Sequence, residues 1–189
     1  LLEYPVVVIP NGIDTEVFRP TESNFRADHH LENQKIILGV ASVWTDRKGL
    51  QDFVKLSKML DDTYKIVLVG LSKEQIQNLP GNILGIERTN STKELAELYT
   101  AADVCVNPTY EDNYPTVNLE AQACGTPVIT YMTGGSSESV PKNNQVPKGE
   151  FYAVAKCIRD DAFHALAEIS FDKTNNFNRY MSLYANETY

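Results

Sequence analysis

Four runs of nearly uninterrupted apolar residues constrain this chain most: Ile36-Ile37-Leu38-Gly39-Val40, Ile66-Val67-Leu68-Val69, Val104-Cys105-Val106 and Val128-Ile129. None alternates apolar with polar, so none suits a sheet with one wet face. Each reads as a strand covered on both sides, the habit of parallel sheets. Residues 83–86 supply a further short strand. Between the strands the period changes. Leu50, Phe53, Val54, Leu56 and Leu60 fall at helical spacing, as do Leu95, Leu98, Tyr99 and Ala102. Ser72-Lys73-Glu74-Gln75 and Ser91-Thr92-Lys93-Glu94 look like capped helix starts. Strand and helix in alternation predict an α/β fold, a doubly wound parallel sheet with right-handed crossovers.

Outside that frame the pattern loosens. Residues 6–9 are a short β-branched run closed by Pro10 and the turn signal Asn11-Gly12. Residues 17–32 have no clean period and read as an irregular connection. His29 and His30 lie there without an acidic or cysteine partner at ligand spacing, which favours exposed loop. In 141–149, rich in Lys, Asn and Pro, only Val146 is a strand candidate. Residues 150–158 and 161–169 look helical, with His164 read as structural. Phe177, Tyr180, Met181 and Tyr184 predict an amphipathic terminal helix within 172–189.

A length of 189 residues suits one well-cored domain, here spanning 1–189 with 1–34 as its lead-in segment. The net charge of −8 argues against a nucleic-acid partner. No apolar run approaches the roughly 20 residues needed to span a bilayer, and the N-terminus lacks a signal peptide's basic start. It reads as a boundary inside a longer protein. Cys105, Cys124 and Cys157 are scattered and odd in number, which favours free thiols and a reducing, cytoplasmic compartment. No Cys/His/Asp cluster has metal-ligand spacing, and no Asp-x-Asp motif occurs.

Function concentrates in residues 109–127, Thr-Tyr-Glu-Asp-Asn-Tyr-Pro-Thr-Val-Asn-Leu-Glu-Ala-Gln-Ala-Cys-Gly-Thr-Pro. Gly125 and Pro127 suit a helix end. Pro115 suits a first helical turn, which leaves the N–H groups of Thr116, Val117 and Asn118 free to meet an anion such as phosphate. Asp112 precedes that helix and Glu120 lies about one turn into it. Two acids beside a phosphate site make sense if each reaches a neutral polyol, a ribose on one side and a sugar ring on the other. Ordinary first-turn acids favoured by the helix dipole would have the same spacing.

The run Asp112-x7-Glu120, with Ala121 to Ile129 and then Thr133-Gly134-Gly135-Ser136-Ser137-Glu138, resembles the E-x7-E segment of retaining family 4 glycosyltransferases. Pro10-Asn11-Gly12-Ile13-Asp14 is similar to the segment where that family's chain enters its C-terminal domain. The resemblance covers about residues 6–138. It implies the donor-binding, Rossmann-like half of a GT-B architecture, with the N-terminal acceptor-binding domain missing from this chain. The nucleoside-diphosphate sugar is then a donor substrate, with no cofactor and no metal. The fragment alone would be inactive, while the full-length enzyme would make polysaccharide or glycolipid, with peripheral membrane association as a further expectation.

Residue by residue, the resemblance implies that Asp112, or Glu111 one position earlier, orients the transferred sugar. Glu120 would bind the ribose, and the N–H groups of Thr116 and Val117 the diphosphate, with Asn113 and Tyr114 in the same loop. Lys48 would neutralise the leaving diphosphate. The family's phosphate-binding Arg has no counterpart at Ser42 or Val43, so Arg47 is the substitute candidate; two solvated surface cations remain the plain alternative. Arg88-Thr89 falls where the base is held, largely by backbone. Gly134-Gly135 would allow close backbone approach, or be a plain turn. Other classes stay open: an epimerase or phosphorylase of the same fold, or a non-catalytic nucleotide-binding module. A dehydrogenase is disfavoured, since residues 42–49 lack a Gly-x-Gly-x-x-Gly turn.

Overall fold

The computed structural model describes residues 8–164, together with Asn178. Six strands form a single all-parallel sheet in the order β3-β2-β1-β4-β5-β6. They are β1 (Lys35–Val40), β2 (Tyr64–Val69), β3 (Ile83–Ile86), β4 (Val104–Asn107), β5 (Val128–Tyr131) and β6 (Gln145–Val146). The helices, in chain order, are α1 (Phe25–Asp28), α2 (Leu50–Leu56), α3 (Lys73–Gln77), α4 (Thr92–Ala101), α5 (Thr116–Ala123) and α6 (Phe151–Arg159). The predicted α/β class and strand runs are what the structure contains.

Alternate residues of each strand enter two separate cores, which is why the strands are apolar throughout. Ile36, Leu38, Val67, Val69, Cys105 and Val128 pack with Leu98 and Tyr99 of α4 and Leu119 and Ala121 of α5. Ile37, Ile66, Leu68, Val104, Val106 and Ile129 face the other way, onto Phe53 and Leu56 of α2 and Val154 and Ile158 of α6. The register Ile37↔Val104 sets β4 directly beside β1, while β2 flanks β1 on its other side. The chain therefore reverses its direction of travel across the sheet between β1 and β4, where the loops above the strand ends diverge and leave a crevice.

Both predicted caps form. Ser72 makes a reciprocal capping box with Gln75, and Ser91 Oγ accepts from the Glu94 N–H at 3.1 Å.

Several expectations change. The connection over 17–32 is irregular but contains α1 and delivers buried Phe18 and Leu31 to the core. Arg26 pins it, donating to the carbonyls of Ala101, Leu31 and Gln34 and pairing with Asp103 at 2.5 Å. Of the run at 6–9, Val8 and Ile9 carry no regular structure and Val8 is exposed. The last strand is only two residues, held to β5 by the pairs Thr130↔Gln145 and Tyr131↔Val146.

Residues 161–164 are not helical: Asp161 takes φ 47°, which breaks the run, and the rest of 161–169 lies outside the described residues. So does the helix expected in 172–189, apart from Asn178. His164 is held through its backbone, exchanging hydrogen bonds with the Asn144 side chain. His29 and His30 are exposed. No described helix is long and apolar enough to cross a membrane.

Candidate functional site

Two loops carry Lys48 and Asp112 of the crevice, and the backbone locks them together. After β1 the chain passes Trp44, whose buried indole N–H donates to the Val69 carbonyl at 2.8 Å. A single turn of 3-10 helix, Asp46–Lys48, ends at Gly49. Gly49 has φ 76°, and a Cβ there would lie 2.4 Å from the Pro108 carbonyl oxygen. Glycine is therefore what lets the loop after β1 rest on the loop after β4. The Arg47 carbonyl accepts from the Tyr110 N–H at 2.7 Å and from Thr109 Oγ1 at 3.3 Å. This seam brings Lys48 Nζ to 2.7 Å from Asp112 Oδ2, both side chains partly buried.

The start of α5 forms the next wall. Pro115 takes φ −72° and ψ 121° ahead of the helix, and no side chain caps it. The Asn118 N–H is not free as expected, because it donates to the Pro115 carbonyl at 3.2 Å. The N–H groups of Thr116 and Val117 remain at the exposed end of the helix dipole.

Glu120 lies one turn deeper. Its Oε2 accepts from Tyr99 Oη at 3.0 Å, and Tyr99 is fully buried in α4. Burial raises the Glu120 carboxyl above its ordinary value, and the Tyr99 and Thr116 hydroxyls pull it back down.

These elements enclose an open cleft of about 640 Å³ at the carboxyl ends of the strands. Lys48, Arg88, Thr89, Asp112, Tyr114, Thr116, Val117 and Glu120 all line it. The structure thus gathers eight of the sequence candidates onto one surface. Three stand elsewhere. Arg47 and Glu111 face each other at 3.4 Å on the exposed surface. Asn113 turns its carbonyl to Gly135, where an added Cβ would lie 1.6 Å from the oxygen. The Gly135 N–H also donates to the Asp112 carbonyl at 3.2 Å, so the glycine pair is a close backbone approach. A buried polar cluster holds that pair in place: Asn118 accepts from Asn107 and donates to Ser136 and Ser139.

After β2, Leu71 is buried in the core and its neighbour Gly70 lines the cleft. Sequence reasoning took Tyr99 only as part of the apolar face of its helix and missed its bond to Glu120. Asp52 went unnoticed: it is only 3% exposed and accepts from the hydroxyls of Tyr110 and Tyr131 at 2.7 and 2.8 Å. A charged residue beside Phe53 in a helix start carries no local sign of burial. The tyrosines that cover it lie 58 and 79 residues downstream and give no local signal. Cys105 and Cys124 are free and buried, and burial pushes both thiols up to about 12.

Residues 34–162 match the family model described as Glycosyl transferases group 1. The processive diacylglycerol alpha-glucosyltransferase of Acholeplasma laidlawii is 30% identical over 141 residues, covering 68% of this chain and 42% of that protein. The D-inositol 3-phosphate glycosyltransferase of Pseudarthrobacter chlorophenolicus is 31% identical over 148 residues, covering 70% and 35%. The chain therefore spans less than half the length of these relatives. Among solved structures, sucrose-phosphate synthase from Thermosynechococcus elongatus superposes with a TM-score of 0.79 at 25% identity, over 94% of this chain and 51% of that one. Anabaena HepE, solved in complex with UDP-glucose, has the same fold, with a TM-score of 0.79 at 20% identity, over 95% and 57%.

Proposed function

This chain belongs to the group 1 glycosyl transferases, and from that membership we propose that its cleft binds a nucleoside-diphosphate sugar as glycosyl donor. The observation that carries the reading is the convergence of Lys48, the uncapped start of α5, Glu120 and Asp112 on one cleft. Each offers a different part of such a ligand its complement. The N–H groups of Thr116 and Val117 meet the diphosphate with the positive end of the α5 dipole. Lys48 adds a point charge for the leaving group. Glu120 accepts from the ribose hydroxyls, and Arg88-Thr89 borders the base.

Asp112 orients the sugar. It is assigned that role over Glu111 because it lines the cleft while Glu111 stands outside it on the surface. Arg47, paired with Glu111, is left out of the diphosphate site for the same reason. Diphosphate charge met by Lys48 and a helix start needs no divalent cation. In the full-length protein the glycosyl group would pass to the acceptor of a glycolipid or polysaccharide.

Calorimetric titration tests the reading. UDP, GDP and ADP, with UDP-glucose, GDP-mannose and ADP-glucose, are added to the chain in chelator. One base is expected to bind with both its diphosphate and its conjugate, and added magnesium or manganese to change neither. Failure of all six ligands would overturn the assignment. Binding that collapses in chelator and returns with metal would overturn the metal-free part of it.

A further inference from the structure

We propose that Asp112 makes the cleft prefer the intact sugar conjugate over the bare nucleoside diphosphate, by competing with the diphosphate for Lys48. The inference rests on the donor-binding reading above and adds to it a selectivity against product. Its ground is the contact of Lys48 Nζ with Asp112 Oδ2 at 2.7 Å, within the wall of the cleft. Lys48 and Arg88 are the cations among the described residues that line it. A diphosphate that takes Lys48 as its partner must take it from Asp112.

The consequences differ between the two ligands. A carboxylate that loses its ammonium partner in a partly buried wall needs new donors. The sugar conjugate brings hydroxyl groups, which donate to a carboxylate. The bare diphosphate brings none at that end. It also has a terminal oxygen that the conjugate uses in its glycosidic bond, so it sets further negative charge near Asp112. The carboxylate is therefore nearly neutral towards donor and repulsive towards product.

The backbone prevents Asp112 from escaping that charge. Its carbonyl accepts from the Gly135 N–H at 3.2 Å, and a Cβ at Gly134 would sit 2.3 Å from the same oxygen. On the other side, Arg47 and Gly49 fix Lys48 through Tyr110 and Pro108. The loops hold the pair from both ends, so the ligand, and not loop retreat, decides which partner Lys48 keeps.

The test is titration of the parent, Asp112→Asn, Lys48→Gln and the double variant with UDP and with UDP-glucose; GDP and GDP-mannose are used if the base panel selects guanine. Asp112→Asn is expected to bind the diphosphate about fivefold more tightly, the order of a partly screened ion pair. It should bind the conjugate no better than the parent does. In the Lys48→Gln background most of the diphosphate gain should vanish, because the competition has lost its object. Glu111→Gln removes the same charge one residue away on the surface and should leave both affinities unchanged. Asp112→Ser, read the same way, serves if the asparagine variant does not fold.

Weaker diphosphate binding in Asp112→Asn, equal shifts for both ligands, or a full gain in the Lys48→Gln background would overturn the proposal. So would a Glu111→Gln variant that reproduces the effect. A parent that binds neither ligand brings down the donor-binding reading itself. A parent that binds both, with their ratio unmoved by Asp112→Asn, brings down this inference alone.

Discussion

Tyr131 Oη donates to Asp52 Oδ2 at 2.8 Å, tying the end of β5 to α2 across 79 residues of sequence. Tyr110 Oη donates to the same oxygen at 2.7 Å, and Lys55 Nζ reaches Oδ1 at 2.9 Å. The two rings meet edge to face, with centroids 5.5 Å apart. Burial, then Asp52, holds the Tyr131 phenol above its ordinary value, and the Asp52 hydrogen bond pushes Tyr110 up to about 12. Both hydroxyls therefore remain donors at neutral pH. Tyr110 is two residues from Asp112 and bonds to the Arg47 carbonyl, so this buried carboxylate anchors the seam beneath the cleft.

The two tyrosines should differ in what they contribute. Tyr131→Phe takes a hydrogen bond from Asp52 on the side that faces the core, and is expected to cost about 1.5–3 kcal/mol. Tyr110→Phe, at a partly exposed ring, leaves room for water and should cost about 1 kcal/mol or less. Urea unfolding of both variants checks the order. Equal losses would show that Asp52 is hydrated.

Glu120→Gln should weaken the nucleoside diphosphate about tenfold or more. The amide keeps the shape but replaces a charged acceptor, whose hydrogen bonds are worth roughly 1.5–3 kcal/mol each. Titration of the folded variant is the measurement. Parental affinity would remove the ribose from Glu120.

The same residue sets a pH dependence of stability. Burial raises its carboxyl in the folded chain above the unfolded value of about 4.3. The folded state then holds more protons than the unfolded state in that window. Its contribution to stability is therefore fullest below the unfolded value and falls as pH rises through the folded one. The stability difference between the parent and Glu120→Gln should shift against the parent over that rise and level off above it. Urea midpoints across about pH 4 to 7 read it out. A pH-independent difference would mean that the carboxylate is fully hydrated.

Gly49→Ala should be costly where Gly81→Ala is not. At Gly49 an alanine meets φ 76° and the Pro108 oxygen at 2.4 Å, which predicts a loss of about 2–4 kcal/mol and weaker diphosphate binding as Lys48 shifts. A Cβ at Gly81 meets nothing within 4 Å, so that variant should be neutral or gain about 0.5 kcal/mol through the unfolded chain. Thermal melts of both, with titration of the first, decide it.

The strands and caps were legible because their signals are local. A run such as Ile66-Val67-Leu68-Val69 announces burial on both faces, and Ser72 with Gln75 announces its own helix start. The surface on which Lys48, Asp112 and Glu120 meet was legible from the family resemblance, and the parallel sheet gives the physical reason, since it sends every post-strand loop to one end. What escaped is non-local. Asp52 is buried because tyrosines 58 and 79 residues away arrive over it. The Asn118 N–H is satisfied by a 3-10 closure onto Pro115 that spacing does not reveal. Between Asp112 and Glu111 the motif spacing pointed to Asp112, but which of the two side chains lines the cleft depends on how the loop turns, and spacing does not give that.

The seam also has a kinetic meaning. Lys48 and Asp112 lie 64 residues apart, and they meet only when β4 has settled beside β1, after the chain has laid down β2 and β3 on the other side. Contacts that close so long a loop form late on the way to the native state. A ligand that recognises the two sides of the seam together has almost nothing to hold in a half-assembled chain. Donor should therefore slow unfolding while leaving the refolding rate nearly unchanged, so that occupancy lengthens the lifetime of the finished domain without hastening its making.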